Sequence, residues 1–379
     1  MYRANRHYDL YGAAVIAVEG IDNVGKSTLV TGLAPRLESL GYLVTVVNEF
    51  GADVVGQTVR RMVRARWSEV PEEAQPLLIA ADRYPRYLRA FSKLGNPRRI
   101  ILCDRYLHSA IIYQAVSSRV LPHEMLEIVR PLYRDCFRQP DLTLLLDATV
   151  ETATQRGGTN IHDREFLTSC FTYLRDFSLG ETKVFIDAEA DLMKVLQDCE
   201  AAVLRDVPSI TKRTVPSSAL DYCRSRYSGE VLFALCQGKE VLLQRKHWYP
   251  PDVHRIAGGG MERNEDPIAA LTRELYEETG LPLESLNYRF VTSLVYNDHV
   301  DEDSFVSYLF EIDITNEERI KAGPTPDEGF EGWQAFSEEQ LRQMVSMLNT
   351  NIDGKADWGA FRATALEAYL AFKTRHHHA

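Results

Sequence analysis

The chain has 379 residues, 45% of them hydrophobic and 26% charged, with a net charge of −11. That length exceeds one ordinary domain of about 100–200 residues, so two hydrophobic cores are expected. The acidic balance argues against binding a nucleic-acid polymer, which needs a basic surface, and leaves single nucleotides, which a few local cations and metal ions can hold.

In chain order, residues 1–12 are polar and aromatic without period and read as a loose arm. Residues 13–18 are an apolar run closing on Glu19-Gly20, a buried strand. A helix follows from Ser27, and Pro35 is expected to kink it or end it early, because proline removes a backbone donor. Residues 42–47, 100–103, 142–146 and 184–186 read as further strands, nearly continuous in branched apolar residues like strands covered on both faces. With helical stretches between them, they make an α/β parallel sheet flanked by helices.

Residues 207–218, with Pro208 and Pro216 among Ser and Thr, read as a linker between a first domain over 1–206 and a second over 219–379. In the second, residues 230–235 and 240–244 straddle Gln237-Gly238-Lys239 as a hairpin. Residues 267–279 form a strong helix, 288–296 and 305–314 are strand-like, and 361–373 close the chain as an amphipathic helix. There is no internal repeat. The cysteines Cys103, Cys136, Cys170, Cys199, Cys223 and Cys236 form no C-x-x-C pair and suit a reducing compartment. With no leader and no 18-residue apolar run, the expectation is a cytoplasmic chain without membrane contact. The terminal His376, His377 and His378 are given no role.

Two motifs carry chemistry. The first is Gly20-Ile21-Asp22-Asn23-Val24-Gly25-Lys26-Ser27, set between a strand and a helix. Its glycines let backbone N–H groups wrap phosphate oxygens, Lys26 places a cation on the β/γ-phosphates, and the Ser27 hydroxyl is placed for Mg²⁺. The following helix adds its N-terminal dipole. Asp104, ending a strand beside this loop, is placed to complete the Mg²⁺ shell.

Several further runs occur in order: Ala81-Asp82-Arg83, Asp104-Arg105-Tyr106-Leu107-His108-Ser109 with Tyr113-Gln114, Pro140-Asp141-Leu142 leading to Leu146-Asp147, then Arg156 and Asp163-Arg164-Glu165. Together with Glu19-Gly20-Ile21-Asp22 and Gly25-Lys26-Ser27-Thr28, they resemble the thymidylate kinases over residues 12–205. The resemblance implies a P-loop kinase fold that binds ATP through Gly20, Asn23, Val24, Gly25, Lys26, Ser27 and Thr28. It further implies that Asp22 holds the sugar 3′-hydroxyl, Arg105 grips the acceptor phosphate, Arg83, Tyr113 and Gln114 face the acceptor nucleoside, and Ser109 is a further substrate-binding residue. Arg156 and Arg164 would close over the moving phosphoryl group. Phosphoryl transfer is mainly positioning and charge cancellation, so cations from several directions are what it needs. Taken singly, Arg156 and Arg164 read equally well as surface arginines, and Asp104-Arg105 as a structural ion pair. The family also has an arginine near the end of its second strand, where this chain has Asn48-Glu49-Phe50-Gly51, and stacks a phenylalanine where Ile79 stands. These departures leave the acceptor base open. Thymidylate kinases are commonly dimers, so the resemblance implies a homodimer.

The second motif is Gly259, five residues, Glu265, seven residues, then Arg273-Glu274-Leu275-Tyr276-Glu277-Glu278-Thr279-Gly280-Leu281. Asp266 is a fair N-cap, Pro267 suits the first turn, and Gly280 is placed to end the helix. Glu274, Glu277 and Glu278 at i, i+3 and i+4 crowd one face, opposite the core stripe Ile268, Leu271 and Leu275. Carboxylates so close repel unless a cation neutralises them, and hard oxygen ligands suit Mg²⁺ or Mn²⁺. This run resembles the Nudix box, with the resemblance extending over residues 219–345. It implies an α/β/α sandwich with a mixed sheet, in which Glu274, Glu277 and Glu278 hold metal, Arg273 orients the carboxylates, and Glu265 is structural or a further ligand. Candidates for the general base are Glu302, Asp303, Glu328 and Glu331. Trp248 or Tyr249 stacks on a base or is a structural aromatic. Ala257 stands where the family has proline, and Asn264 where it has glycine.

The combined expectation is a bifunctional enzyme acting on nucleoside mono- and triphosphates: ATP-dependent phosphorylation of a (deoxy)nucleoside monophosphate, and hydrolysis of a nucleoside diphosphate linkage to a monophosphate and pyrophosphate. Two alternatives stand beside it. The first half is a nucleotide-sensing module, or the second half acts on ADP-ribose or a nucleotide sugar.

Overall fold

The computed structural model describes residues 13–65, 69–91, 96–133, 138–157, 164–207, 209–296, 305–315, 329–350 and 354–376. Expectations placed on residues 1–12, Cys136, Asp163, Pro208, Glu302, Asp303, Glu328, His377 and His378 lie outside the described residues. Two compact units divide the chain, one mainly over residues 14–207 and one mainly over 208–379.

The first unit runs β1 (Ala14–Glu19), α1 (Lys26–Ser39), β2 (Leu43–Val47), α2 (Val54–Ala65), α3 (Gln75–Ala90), β3 (Arg99–Asp104), α4 (Leu107–Ser117), α5 (Pro122–Leu132), β4 (Leu142–Asp147), α6 (Val150–Gly157), α7 (Arg164–Asp176), β5 (Thr182–Asp187) and α8 (Leu192–Asp206). Its five strands are ordered β2-β3-β1-β4-β5 and all pair in parallel. β1 and β3 are buried along their whole length, as their unbroken apolar runs require. Val15, Ala17, Ile101 and Cys103 pack with Ile79, Tyr87, Leu107, Ile111 and Met125 from helices α3 to α5. Helices α1 and α8 pack against one another, with Leu196 seated on Gly32. The strands therefore end together at one edge, and Glu19, Val47, Asp104 and Asp147 deliver their following loops there, the usual binding edge of such sheets.

Pro35 does not end α1, which continues to Ser39. The proline removes only one ladder bond near the helix end, and Leu33, Ala34 and Leu37 are buried on either side of it.

The second unit runs β6 (Ile210–Arg213), α9 (Ser217–Arg226), β7 (Gly229–Gln237), β8 (Glu240–Lys246), β9 (Ala257–Met261), α10 (Pro267–Thr279), β10 (Asn287–Tyr296), β11 (Val306–Asp313), β12 (Phe330–Phe336), α11 (Glu338–Leu348) and α12 (Ala356–His376). The mixed sheet is ordered β12-β8-β7-β11-β10-β6, with β9 paired to β7. One face packs α10 through Ile268, Leu271 and Leu275. The other packs α9, α11 and α12 through Leu220, Leu341, Leu348, Phe361 and Leu366. The sheet lies between helices, as the α/β/α expectation has it.

Two segments differ from their sequence reading. Residues 210–213, read as linker, form β6, parallel to the outer edge of β10, with Thr211 Oγ1 2.9 Å from Thr292 Oγ1. An open strand edge offers unpaired backbone donors and acceptors that a short extended segment can satisfy. Helix α12 starts at Ala356 instead of 361 and is not amphipathic, because Phe361, Ala363, Leu366, Tyr369, Leu370 and Phe372 bury most of its circumference. The five described cysteines are unbonded and buried. No helix among the described residues is long and apolar enough to cross a membrane.

Candidate functional site

At the strand-end edge of the first unit, the 20–27 loop opens onto a cleft of about 420 Å³. The loop turns through left-handed backbone at Gly20 (φ 147°), Asn23 (φ 63°) and Gly25 (φ 101°). Gly20 has no room for a side chain, since a Cβ would stand 2.9 Å from the Leu146 carbonyl. Lys26 and Ser27 open α1 at the head of this loop. Lys26 is buried and donates to the Ile21 carbonyl at 2.6 Å. Burial, with the nearby Arg105 cation, lowers its pKa to about 8. Ser27 donates to Asp104 Oδ2 at 2.5 Å, and Asp104 Oδ1 is buried with no hydrogen-bond partner among the described residues. A hydroxyl beside a buried carboxylate with an unsatisfied oxygen fits a hard divalent cation such as Mg²⁺.

Arg105 sits in left-handed backbone (φ 64°) immediately after β3, which turns its side chain across the cleft. It ion-pairs with Asp22 and, at 2.9 Å, with Glu49, and donates to the Gly20 carbonyl (3.1 Å), Ser109 Oγ (2.9 Å) and Tyr113 OH (3.3 Å). Glu19 at the β1 terminus accepts from the Tyr106 and Ser109 amides at 2.8 and 3.2 Å and so fixes that turn. Arg83, buried on α3, donates to the Tyr106 carbonyl at 3.0 Å. Gln114 lines the same cleft, and its Oε1 is buried without a hydrogen-bond partner among the described residues.

Asp22, Asn23, Gly25, Lys26, Ser27, Thr28, Arg83, Arg105, Ser109, Tyr113, Gln114 and Arg156 all line this cleft. Arg164 does not. It lies on the surface with a side chain 73% exposed and pairs with Glu151. Its place in the lid sequence does not bring it to the cleft, because its guanidinium is turned to Glu151 of α6. The sequence reading passed over Arg64, Val63 and Phe166, which also line the cleft, and Glu49, noted there only as a departure. Helix α2 is strongly amphipathic, which was the available signal for its inward-facing end.

In the second unit, α10 carries the carboxylates. Asp266 accepts from the Ile268 and Ala269 amides at 2.9 and 3.0 Å, and Gly280 (φ 72°) ends the helix. Arg273 gathers the acidic groups. It holds Glu265 through two bonds of 3.0 and 2.8 Å, Glu274 at 2.6 Å and Glu277 at 3.3 Å, and anchors to the Gly260 carbonyl at 3.0 Å. Glu278 instead turns to Lys246 of β8, 3.5 Å away, and its second oxygen is buried and unsatisfied among the described residues. Burial raises the Glu274 carboxyl despite Arg273, while burial and Arg255 lower Lys246 to about 8. Gly259 lies flat against the Glu274 carboxylate, where a Cβ would collide. A half-neutralised carboxylate group with an orphaned buried oxygen fits Mg²⁺ or Mn²⁺.

This cluster opens on a cleft of about 1190 Å³. Gly259, Arg273, Glu274 and Glu277 line it, with Lys246, Arg255 and Trp248, whereas Tyr249 is buried beneath. Asn264 adopts φ 66°, left-handed backbone that asparagine tolerates, so it can stand where glycine was expected. Glu331 pairs with Arg245 at 2.7 Å and does not line the cleft. Lys246, after Gln244-Arg245 at the end of β8, and Arg255, between β8 and β9, carry no local signal that points to the cleft.

Comparisons with known proteins agree with this geometry. The model for thymidylate kinase matches residues 18–198, and the NUDIX domain model matches residues 227–355. The probable thymidylate kinase of Caldivirga maquilingensis is 34% identical over 141 residues, 37% of this chain and 66% of that protein. The probable thymidylate kinase of Methanospirillum hungatei is 31% identical over 144 residues, 38% of this chain and 68% of that protein. That of Methanobrevibacter smithii is 30% identical over 192 residues, 50% and 93% respectively. The chain thus spans about two-thirds of the length of the first of these relatives. Its second unit matches the NUDIX domain model, and through its first unit the chain belongs to the thymidylate kinase family.

Proposed function

We propose that the chain is a bifunctional enzyme of nucleotide metabolism. The first unit transfers the γ-phosphoryl of ATP to a (deoxy)nucleoside monophosphate, giving ADP and the diphosphate. The second adds water across a nucleoside diphosphate linkage, as in a triphosphate yielding a monophosphate and pyrophosphate. The observation that carries this reading is the joint presence of two phosphate-type clefts of opposite chemistry. Lys26, Arg83, Arg105 and Arg156 bring cations to one, and Glu274 and Glu277 bring carboxylates to the other.

In the first cleft, Lys26 and the 20–27 amides meet the ATP phosphates. Arg105, held by Asp22 and Glu49 in one orientation, meets the acceptor phosphate, and Asp22 and Tyr113 lie together for its sugar, with the Tyr113 hydroxyl donating to Asp22 at 3.1 Å. Arg156, anchored on the Ala188 carbonyl at 2.9 Å, reaches in from the lid side. Ser27 and Asp104 would hold Mg²⁺ here, and Glu274, Glu277 and Glu278 in the second cleft. Bound there, the cation neutralises phosphate charge and makes water more acidic. Arg273 keeps the second carboxylate set convergent, and Lys246 and Arg255 meet the phosphate chain. Arg64 on the cleft wall, and Ile79 where the family stacks a phenylalanine, favour an acceptor other than dTMP.

The test is a screen of nucleoside mono- and triphosphates with product identification, using wild type, Lys26→Ala and Glu277→Gln. Lys26→Ala is expected to abolish phosphoryl transfer and spare hydrolysis, and Glu277→Gln the reverse. A folded variant that silenced both activities would refute two separate sites. Wild type that binds ATP yet phosphorylates no monophosphate would leave the first unit a sensor.

A further inference from the structure

One wall of the second cleft comes from elements outside residues 227–355, the stretch that matches the NUDIX model. Helix α9 supplies Arg226, and helix α12 supplies Trp358 and Arg362. Arg362 pairs with Glu230 of β7 at 2.8 Å, with side chains only 13% and 6% exposed. Ser307 donates to the other Glu230 oxygen at 2.6 Å, and Tyr296 OH lies 3.0 Å from Ser307 and 3.2 Å from Thr364. The pair is therefore held from β7, β10, β11 and α12 at once.

A buried ion pair adds little net stability, because desolvating both charges costs about what their attraction returns. Stability alone does not account for one lining a cavity. Arg362 Nε, moreover, is buried with no hydrogen-bond partner among the described residues. What the cavity offers is the outer edge of a fixed guanidinium, which lines the cleft beside the Cys223 thiol, a weak acceptor. The same cleft is lined by Tyr227, Phe305 and Trp358. Tyr227 lies flat on Gly260, which is in register with Glu230, and the adjacent Gly259 lies against Glu274. The pair, the aromatic surface and the carboxylate cluster thus share one strand crossing.

Resting on the hydrolase reading of this cleft, we propose that Arg362 and Glu230 are the specificity-determining pair that reads the hydrogen-bonding edge of the substrate's nucleobase. The guanidinium donates to a base acceptor while the carboxylate accepts a neighbouring base N–H. Aromatic surfaces suit the flat face of a base, and a paired donor and acceptor suit its edge. Bases differ in the order and spacing of those groups, so a pair fixed on both sides discriminates where a flexible one would adapt.

The experiment measures Mg²⁺-dependent hydrolysis of the eight common ribo- and deoxyribonucleoside triphosphates by the full chain. Wild type is compared with Arg362→Met, Arg362→Lys and Glu230→Gln, with folding followed by thermal melting. The ratio of kcat/KM between the best and worst base is expected to fall by about tenfold or more in Arg362→Met, mainly through a higher KM for the best base. Arg362→Lys should recover part of that ratio. Glu230→Gln, which adds a donor, should change the rank order of bases. Wild-type base ratios in Arg362→Met and Glu230→Gln would overturn the proposal, as would an equal loss for all bases, which would mark the pair as purely structural. Should Arg362→Met not fold, Glu230→Gln decides alone. Wild type that hydrolyses none of the eight would instead remove the underlying hydrolase reading, and this inference with it.

Discussion

At the scale of single residues, both clefts depend on close approaches that a sequence pattern only names. Gly259 is conformationally ordinary, yet it has no room for a methyl group because the Glu274 carboxylate lies against it. Gly259→Ala should therefore push Glu274 out of the carboxylate set and cut hydrolysis by roughly a hundredfold, the scale of a disrupted metal shell. Phosphoryl transfer should stay at the wild-type rate in the same preparation, as read by separate assays of the two products. A second residue-scale expectation concerns Glu181 and His108, which meet at 2.8 Å with side chains almost wholly buried. Burial alone would raise the Glu181 carboxyl, but the His108 hydrogen bond and backbone N–H bonds outweigh it, and its pKa falls from 4.5 to about 2. A folded-state pKa below the unfolded one means that this carboxylate stabilises the fold above pH 4.5 and stops doing so as the pH drops from 4.5 towards 2. The urea midpoint of the first unit should fall more steeply with acid over that window in wild type than in Glu181→Gln. Parallel curves for the two proteins would show that the pair does not carry the effect.

At the scale of elements, helix α10 holds the carboxylates at a fixed angle only if its first turn is closed. Asp266 closes it with two backbone bonds. Asp266→Ala should cost about 1 kcal/mol, which for a unit of this size lowers its melting temperature by about 2–4 °C. KM for the hydrolysed substrate should change little, because no cleft atom is removed. A loss of activity without a loss of stability would contradict a capping role. This helix was fully legible in the sequence, since its cap, apolar stripe, acidic spacing and terminal glycine all point to one boundary. The parallel strands of the first unit were legible for the same reason, their apolar runs being unbroken. Other elements were not. β9 is Ala-Gly-Gly-Gly-Met, with no strand propensity of its own, and exists because β7 supplies a partner edge. β6 looks like a linker until the outer edge of β10 is there to receive it. α12 looks amphipathic from Phe361 to Lys373, yet packing covers most of its sides. The sites divide in the same way. Short-range spacing announced Lys26, Ser27, Glu274 and Glu277, whereas Arg362, Lys246, Arg64 and Phe166 reach the clefts through long-range packing that no local pattern encodes.

At the scale of the whole molecule, each unit has its own sheet and its own buried core. The apolar set around Val15, Ile101 and Leu107 is separate from the two sets that cover the faces of the second sheet. Domains with separate cores unfold as separate cooperative units, so calorimetry should resolve two transitions. Ligand that binds only the native form stabilises its own unit by about 2.7 kcal/mol at a hundredfold excess over Kd. An ATP analogue resistant to cleavage at both phosphate bridges should accordingly raise one transition strongly in wild type, and that rise should disappear in Lys26→Ala. The second transition should respond to Mn²⁺ in wild type and lose that response in Glu277→Gln. The four combinations assign each transition to a unit without cutting the chain. If instead ATP analogue and Mn²⁺ raised a single shared transition, and either substitution abolished both responses, the two cores would not be thermodynamically independent, and the activities would have to be treated as coupled through one folding unit.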